Sequence, residues 1–511
     1  MNVGYESILE GIYAKDPTLW KADSEEHQAI IRSSLGWVDL VERMRPHLDD
    51  LRSFGEDIRD RFDSVVLLGM GGSSLCPEVY KRTFGRTEGW PELIVLDSVV
   101  PEAVREVEKT IDLEHTVFIL ASKSGSTIEP MSLYKRFRGR LEEQGRSYGE
   151  HFVAITDPGS PLDEMARKQR FRRTFLNFDD IGGRYSALSF FGMVPAAMAG
   201  YDVHMLLERA DRAFRACSPS VAPEANPAWL LGSMAGRATL DGADKLTLVM
   251  TEALSSVGLW IEQLVAESTG KEGTGVVPIA GEPVLATNSY GDDRTFVVTR
   301  LENDDPSWAE ALGGSHPLLQ LQVTDAYDVA WLFVVWEIAT SVMGAYLEID
   351  PFDQPNVEDA KIQAKRALAE ATETEFGSIE QARSLIEGLS AGDYLGLLIY
   401  GNETESRNET IADLRKMIAE QKKVATTAGY GPRYLHSTGQ LHKGGPDEGA
   451  FIILTLEDES ELPVHGEPYS LNRLAQAQAT GDRRALEAAG RRVVHLHGPS
   501  IDEILAQLKQ R

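Results

Sequence analysis

Residues 64–75 read Ser-Val-Val-Leu-Leu-Gly-Met-Gly-Gly-Ser-Ser-Leu. Five residues suited to a strand run straight into a glycine-rich turn, and the turn opens a stretch suited to a helix. Three further short apolar runs follow at 93–96 (LIVL), 116–120 (TVFIL) and 152–155 (FVAI). Each ends in turn-forming or hydroxyl residues, and helical stretches lie between them. Continuous apolar strands alternating with helices predict a parallel sheet covered on both faces. A second set begins near Lys245, with strands at 246–250, 295–299 and 318–323 and a buried helix over 329–347. A third lies in the tail, at 394–400, 423–427, 451–456 and 493–496, and could share a sheet with the second. The soft boundaries are 218–227 and 370–378. The reading is an α/β chain with an N-terminal helical segment (1–62), two doubly wound domains (63–217 and 228–378) and an additional C-terminal α/β region (379–511).

Composition narrows the partners. The 511 residues include 51 Lys and Arg against 79 Asp and Glu, a formal charge of −28. Such a field repels nucleic-acid backbones and anionic membranes, though it leaves room for a small anion in a locally positive pocket. Cys76 and Cys217 are the two cysteines, which excludes a disulfide framework and a cysteine-based zinc site and fits a reducing cytoplasm. The start of the chain lacks a signal-peptide pattern. The longest tight apolar run, 329–336, ends at Glu337, well short of the ~18 residues that suggest a membrane span.

Six stretches could carry chemistry. The Gly69–Leu75 turn offers backbone amides and the Ser73 and Ser74 hydroxyls to an anion at a helix start. Gly69-x-Gly71 with Asp97 partly matches a dinucleotide fingerprint, but Ser74 stands where the third glycine belongs. The second stretch, Ser122-Lys123-Ser124-Gly125-Ser126-Thr127, packs four hydroxyls, a glycine and a lysine before a helix. One hydroxyl is enough for a cap, so the excess points to phosphate binding. Gly182-Gly183-Arg184 presents a guanidinium on a turn; a plain surface-loop arginine is its bland counterpart. Gln263 and Glu267 share a helix face, and apolar neighbours would desolvate Glu267 toward a general base unless it is a solvated helix end. In 351–361, Pro355 opens a helix that carries Lys361. Last, His436 and His442 stand six apart, which is not a helical metal pair, so a proton-transferring imidazole fits better.

Taken together, GMGGSSLCP (69–77), ASKSGST (121–127) with Glu129, GGRYSALS (182–189), VAEST (265–269) and PFDQPNVEDAK (351–361) stand in the order found in phosphoglucose isomerases. The chain strongly resembles that family, which is built from sugar-isomerase (SIS) domains. The tail GPRYLHSTGQLHKGGP (431–446) looks like the isomerase part of bifunctional transaldolase–phosphoglucose isomerases. The resemblance implies substrate contacts at Gly72 and Ser73, a phosphate loop at Ser122, Lys123, Ser124, Ser126 and Thr127, and further contacts at Gln263 and Gln354. It implies catalytic roles for Glu267, Arg184, Lys361 and His436. His436 follows Lys361 by 75 residues, whereas the family's usual histidine lies between the glutamate and lysine motifs; this departure suggests a rearranged second SIS unit. The implied activity is interconversion of glucose 6-phosphate and fructose 6-phosphate in glycolysis and gluconeogenesis, through ring opening and a cis-enediol. It needs neither metal nor cofactor, and the implied assembly is a homodimer or a monomer. The rivals are a non-catalytic SIS sugar-phosphate-binding module and, from Gly69-x-Gly71 with Asp97, a nucleotide-dependent oxidoreductase. A transaldolase half is not evident, because too few residues remain for its barrel.

Overall fold

The computed structural model describes residues 4–304, 312, 316–356, 363, 366, 368, 375–457 and 460–510. Its strands fall into three parallel sheets. The first has β1 (Ser64–Leu68), β2 (Glu92–Leu96), β3 (Thr116–Ala121), β4 (Phe152–Thr156) and β5 (Arg173–Leu176), in the order β2-β1-β3-β4-β5. The second orders β6 (Lys245–Met250), β7 (Val277–Ile279), β8 (Arg294–Leu301) and β9 (Leu318–Val323) as β7-β6-β8-β9. The third orders β10 (Tyr394–Tyr400), β11 (Ala425–Tyr430), β12 (Gly449–Leu456) and β13 (Arg492–Gly498) as β11-β10-β12-β13. The C-terminal region therefore builds a sheet of its own rather than extending the second. The short strands β5 and β7 were absent from the sequence reading; four and three residues are too few to show periodicity against their polar surroundings.

Each sheet is buried on both faces, and alternate side chains serve different cores. Val65 and Leu67 of β1 join the core that holds the N-terminal helices, while Val66 and Leu68 join a second core shared with the C-terminal region. In β10, Tyr394, Leu398 and Tyr400 face that shared core, and Leu395, Leu397 and Ile399 face a third core under the C-terminal helices. Pairing is uniform, with Leu67 opposite both Val95 and Ile119 and Leu398 opposite both Gly429 and Ile453.

The N-terminal segment is helical, as its spacing predicts, and its apolar face is not free. Ile8, Leu9 and Ile12 pack into the first core together with the helix Val329–Leu347. The stretch 326–347 meets the length and hydropathy of a membrane-crossing helix, which the count of its tightest run did not anticipate, but 83% of its most apolar 18-residue window is buried inside the protein. Within the chain it is a core helix, packed against Val203–Ala216, Pro227–Leu240 and Val257–Thr269. The 218–227 boundary thus separates sheets but not cores.

A buried polar seam joins the second sheet to the third. Glu282 and Arg294 pair at 2.9 Å with both side chains 1% exposed. Glu282 also accepts from the Thr426 backbone N–H (2.8 Å) and hydroxyl (2.9 Å) at the start of β11. Arg415 donates to the carbonyls of Ala280, Gly281 and Thr426. These bonds fix where the third sheet, and the histidine motif it carries, sits against the rest.

Candidate active site

In all three sheets the first strand lies between the second and the third. The crevice at the C-terminal strand ends, where the winding reverses, is the usual binding place in such a sheet. The first sheet brings two loops there, residues 69–74 after β1 and 122–127 after β3. Gly71 has φ +54°, and a Cβ on it would lie 2.5 Å from the His436 carbonyl oxygen and 2.8 Å from Gln263 Nε2. The turn after β1 therefore touches the Val257–Thr269 helix of the second unit and the histidine turn of the third. The three units meet at this point.

Glu267 and Gln263 lie on one face of that helix, both buried. Gln263 Nε2 donates to the His436 carbonyl (2.8 Å) and reaches Glu267 Oε2 at 3.4 Å. Burial pushes the Glu267 carboxyl up to about 7, although Arg184 and His436 pull against it. A solvated helix-end glutamate is thereby ruled out for Glu267.

Arg184 is not on a flexible surface loop. Its Nε donates to Ser268 Oγ (2.7 Å), Nη2 to the carbonyls of Pro351 (2.6 Å) and Asp353 (3.0 Å), and Nη1 to Gln354 Oε1 (3.2 Å). Its Nη1 stands 3.6 Å from Glu267 Oε2. The FDQ stretch thus reaches the site by holding the arginine, and Gln354 remains exposed at the edge. Lys361 lies outside the described residues.

The glycines of the GGR turn are not where the crowding is. A Cβ on Gly183 would meet nothing within 4 Å, whereas one on Gly72 would lie 2.1 Å from the Gly183 carbonyl oxygen. Gly72 lets the turn after β1 press on the arginine turn. Gly72→Ala is expected to cost about 1–3 kcal/mol, the usual range for overpacking, and to lower kcat/KM more than tenfold by displacing Arg184, as chemical denaturation and steady-state kinetics would show. Wild-type kinetics in a folded variant would rule out this contact as the reason for the glycine.

The 122–127 loop is a hydroxyl cradle. Ser122 Oγ accepts from the Gly125 N–H and pairs with Thr127 Oγ1, both at 3.1 Å, and Ser124 and Ser126 pair at 3.1 Å with both residues exposed. Lys123 lies in the same loop. Its ammonium donates to the Asp157 carboxylate (2.6 Å) and the Asp179 carbonyl (3.0 Å), so its charge is already partnered. Hydroxyls and amides remain to receive an anion. Ser73 is half-buried in the neighbouring turn. Asp97, the residue of the dinucleotide reading, is buried against Arg433 (2.8 Å) and Ser74 (3.3 Å), so its carboxylate is committed within the protein.

His436 Nε2 meets Glu129 Oε1 at 2.7 Å, and Gln478 Nε2 donates to the same oxygen at 2.6 Å. Burial pushes Glu129 up, but His436 outweighs it and leaves the group below its ordinary value. Glu129 sits in the first turn after the hydroxyl loop. One chain of contacts therefore runs from loop to Glu129, to His436, to Gln263, to Glu267, and this His436 belongs to the same polypeptide as Glu267.

Sequence reasoning missed the roles of Gln478 and Lys271. Nothing local marks a glutamine on the Leu471–Ala488 helix. Lys271 left a signal, a lysine four residues after Glu267. Its buried ammonium donates to the carbonyls of Asp350 (2.7 Å) and Asp353 (2.6 Å) and to the Asp353 carboxylate. Burial, then Arg184, pulls it down to about 8. His27, Asp350 and Asp353 bring ligand-type atoms within 4.8 Å of one another, but Lys271 already places a positive charge against Asp353.

A hydroxyl-lined loop, a buried carboxyl beside a guanidinium and an imidazole–carboxylate pair, set between doubly wound sheets, fit a protein of the sugar-isomerase-domain class. Comparison with known proteins agrees. The phosphoglucose isomerase family model matches residues 36–281. A protein of Haloarcula marismortui named probable glucose-6-phosphate isomerase is 30% identical over 63% of this chain and 81% of its own. The glucose-6-phosphate isomerase of Campylobacter jejuni is 26% identical over 65% and 92%. Among solved structures, hypothetical protein TT0462 of Thermus thermophilus superposes with a TM-score of 0.60 at 25% identity, covering 71% of this chain and 95% of that one. A glucose-6-phosphate isomerase of Chlamydia trachomatis, at 22% identity, shares the fold with a TM-score of 0.56 over 74% and 80%. The chain belongs to the phosphoglucose isomerase family, and it is an aldose–ketose isomerase.

Proposed function

We propose that the substrates are glucose 6-phosphate and fructose 6-phosphate, and that the isomerisation runs through a cis-enediol. The observation that carries this reading is the junction at Gln263, which ties a buried, partly neutralised Glu267 to the His436 turn. The 122–127 hydroxyls and amides hold the phosphate, and this remote binding orients the sugar. His436, kept in place by Glu129, moves the proton between the ring oxygen and O1 and opens the ring. Ionised Glu267 then takes the proton from C2. The electron pair left behind forms the C1–C2 double bond, and the carbonyl oxygen at C1 gains negative charge. Arg184, already fixed by four hydrogen bonds, stabilises that charge without having to reorganise. The proton of the C2 hydroxyl passes to O1 through the cis-enediol, Glu267 returns its proton to C1, and the carbonyl now at C2 completes the ketose. Gly72, Ser73 and Gln354 line the sugar's path in this reading.

The direct test is formation of fructose 6-phosphate from glucose 6-phosphate by the purified protein. Binding without turnover would favour the sensor alternative. A pH prediction follows from Glu267. The base must be ionised and its pKa lies at about 7, so kcat/KM should rise with unit slope below neutrality and level off above it. A profile with no inflection between about pH 6 and 8 would remove Glu267 as the base. Because His436 comes from the same chain, activity per chain should hold constant on dilution.

A further inference from the structure

Lys271 lies just past the end of the Val257–Thr269 helix, four residues after Glu267, and its side chain is 1% exposed. Burying an ammonium is costly unless every part of it is bonded. It has three N–H donors, and all three go to one short stretch of the FDQ loop: the Asp350 carbonyl (2.7 Å), the Asp353 carbonyl (2.6 Å) and the Asp353 carboxylate. No donor is left for a sugar, so Lys271 is not a catalytic residue.

The Asp353 carbonyl is shared. Arg184 Nη2 donates to it at 3.0 Å and to the nearby Pro351 carbonyl at 2.6 Å. The helix of Glu267 therefore holds the arginine twice, directly through Ser268 Oγ (2.7 Å from Nε) and indirectly through Lys271 and this carbonyl. The N-terminal segment braces the other side of the loop. His27 Nδ1 lies 3.0 Å from Asp350 Oδ2 and 3.5 Å from Asp353 Oδ2, and Trp20 packs edge-on against Phe352 with ring centres 5.0 Å apart. The charged groups facing Lys271 are thus Arg184, Asp350 and Asp353, with His27 behind the two carboxylates. Glu267 lies beyond Arg184, 3.6 Å from its Nη1.

We propose that Lys271 is a positioning residue for the isomerisation: by holding the Asp353 carbonyl that Arg184 also uses, it fixes the guanidinium in register with Glu267. This rests on the roles given above to Arg184 and Glu267. The two groups act on adjacent carbons of one sugar, and a misplacement of about 1 Å at such a site can cost about 10²-fold in rate. Lys271 ties both to one helix end. Without it the loop keeps its bonds to the arginine but loses this tether, so the guanidinium moves with the loop instead of with the base.

Lys271→Met nearly keeps the side chain's length and removes all three donors. In the full chain, kcat for fructose 6-phosphate formation should fall by about 10–10²-fold with KM changed less than about twofold, because Arg184 acts on charge that develops after the sugar is bound. Lys271→Gln, which keeps a donating head without the charge, should fall between the wild type and the methionine variant. Arg184 and Lys271 both pull the Glu267 carboxyl down, so the acid inflection of kcat/KM should also move up, which a loss of stability alone would not cause. The same upward move should appear without substrate in a carbon-13 NMR titration of Glu267, assigned with Glu267→Gln, and this arm stands whatever the substrate is. Wild-type kcat in folded Lys271→Met, a loss confined to KM, a glutamine variant no better than methionine, or an unmoved Glu267 titration overturns the proposal. A wild-type protein that makes no fructose 6-phosphate overturns the isomerase reading instead, and the NMR titration then decides the positioning role.

Discussion

Glu267→Gln is expected to bind fructose 6-phosphate with nearly unchanged affinity while kcat falls by about 10³–10⁴-fold, the range for losing a positioned base. The substitution keeps the volume and removes one ionisable oxygen. Arg184 loses a carboxylate at 3.6 Å but keeps its four bonds to Ser268, Pro351, Asp353 and Gln354, so the site should hold its shape. Solvent-proton exchange at C2 of the bound sugar should stop along with turnover, and NMR in deuterium oxide reads that directly. Stability supplies an independent check. The folded pKa, about 7, is above the ordinary value of 4.5. The folded state therefore holds this proton more tightly than the unfolded chain, and the stability it contributes is lost as pH rises from about 4.5 to about 7. Glutamine carries no such proton, so the variant's urea midpoint should fall less across that window. Retained turnover would remove Glu267 from the mechanism.

The second large effect is expected at a residue far from the sugar. Glu282→Ala should destabilise the protein by about 3–5 kcal/mol, the cost of leaving a buried charge without its partner. Among the described residues, Arg294 would keep hydrogen bonds to the Thr247 hydroxyl (2.8 Å) and the Val424 carbonyl (3.3 Å) and would have no carboxylate bonded to it. Thr426 would lose its backbone and side-chain acceptor together. Because Glu282 holds the third sheet to the second, the loss should also loosen His436 and lower kcat. Replacing both Glu282 and Arg294 by methionine removes both charges and should recover part of the stability. Guanidinium denaturation of the single and double variants measures this, and a single-variant loss under about 1 kcal/mol would show that the seam carries little.

The hydroxyl run at 122–127, the paired glycines at 71–72, the arginine at 184 and the four-residue step from Gln263 to Glu267 were legible because their chemistry is local. A turn, a cap or a helix face needs few neighbours to define it. The N-terminal helices and most strands were legible for the same reason. The Asp157 partner of Lys123 was not legible, because it lies on another strand's loop. Gln478 was invisible because its meaning lies in Glu129, 349 residues away.

Hydrophobic patterning and turn chemistry, both short-range, by themselves determined an α/β chain, its strand–helix rhythm and the residues proposed here to bind phosphate and move protons. Tertiary structure alone decided that the C-terminal strands form a third sheet, that this sheet docks through Glu282, Arg294 and Arg415, and that His436 arrives beside Glu129 within one chain. Burial also decided the state of Glu267, because a carboxyl's affinity for its proton depends on how much water the fold removes from around it.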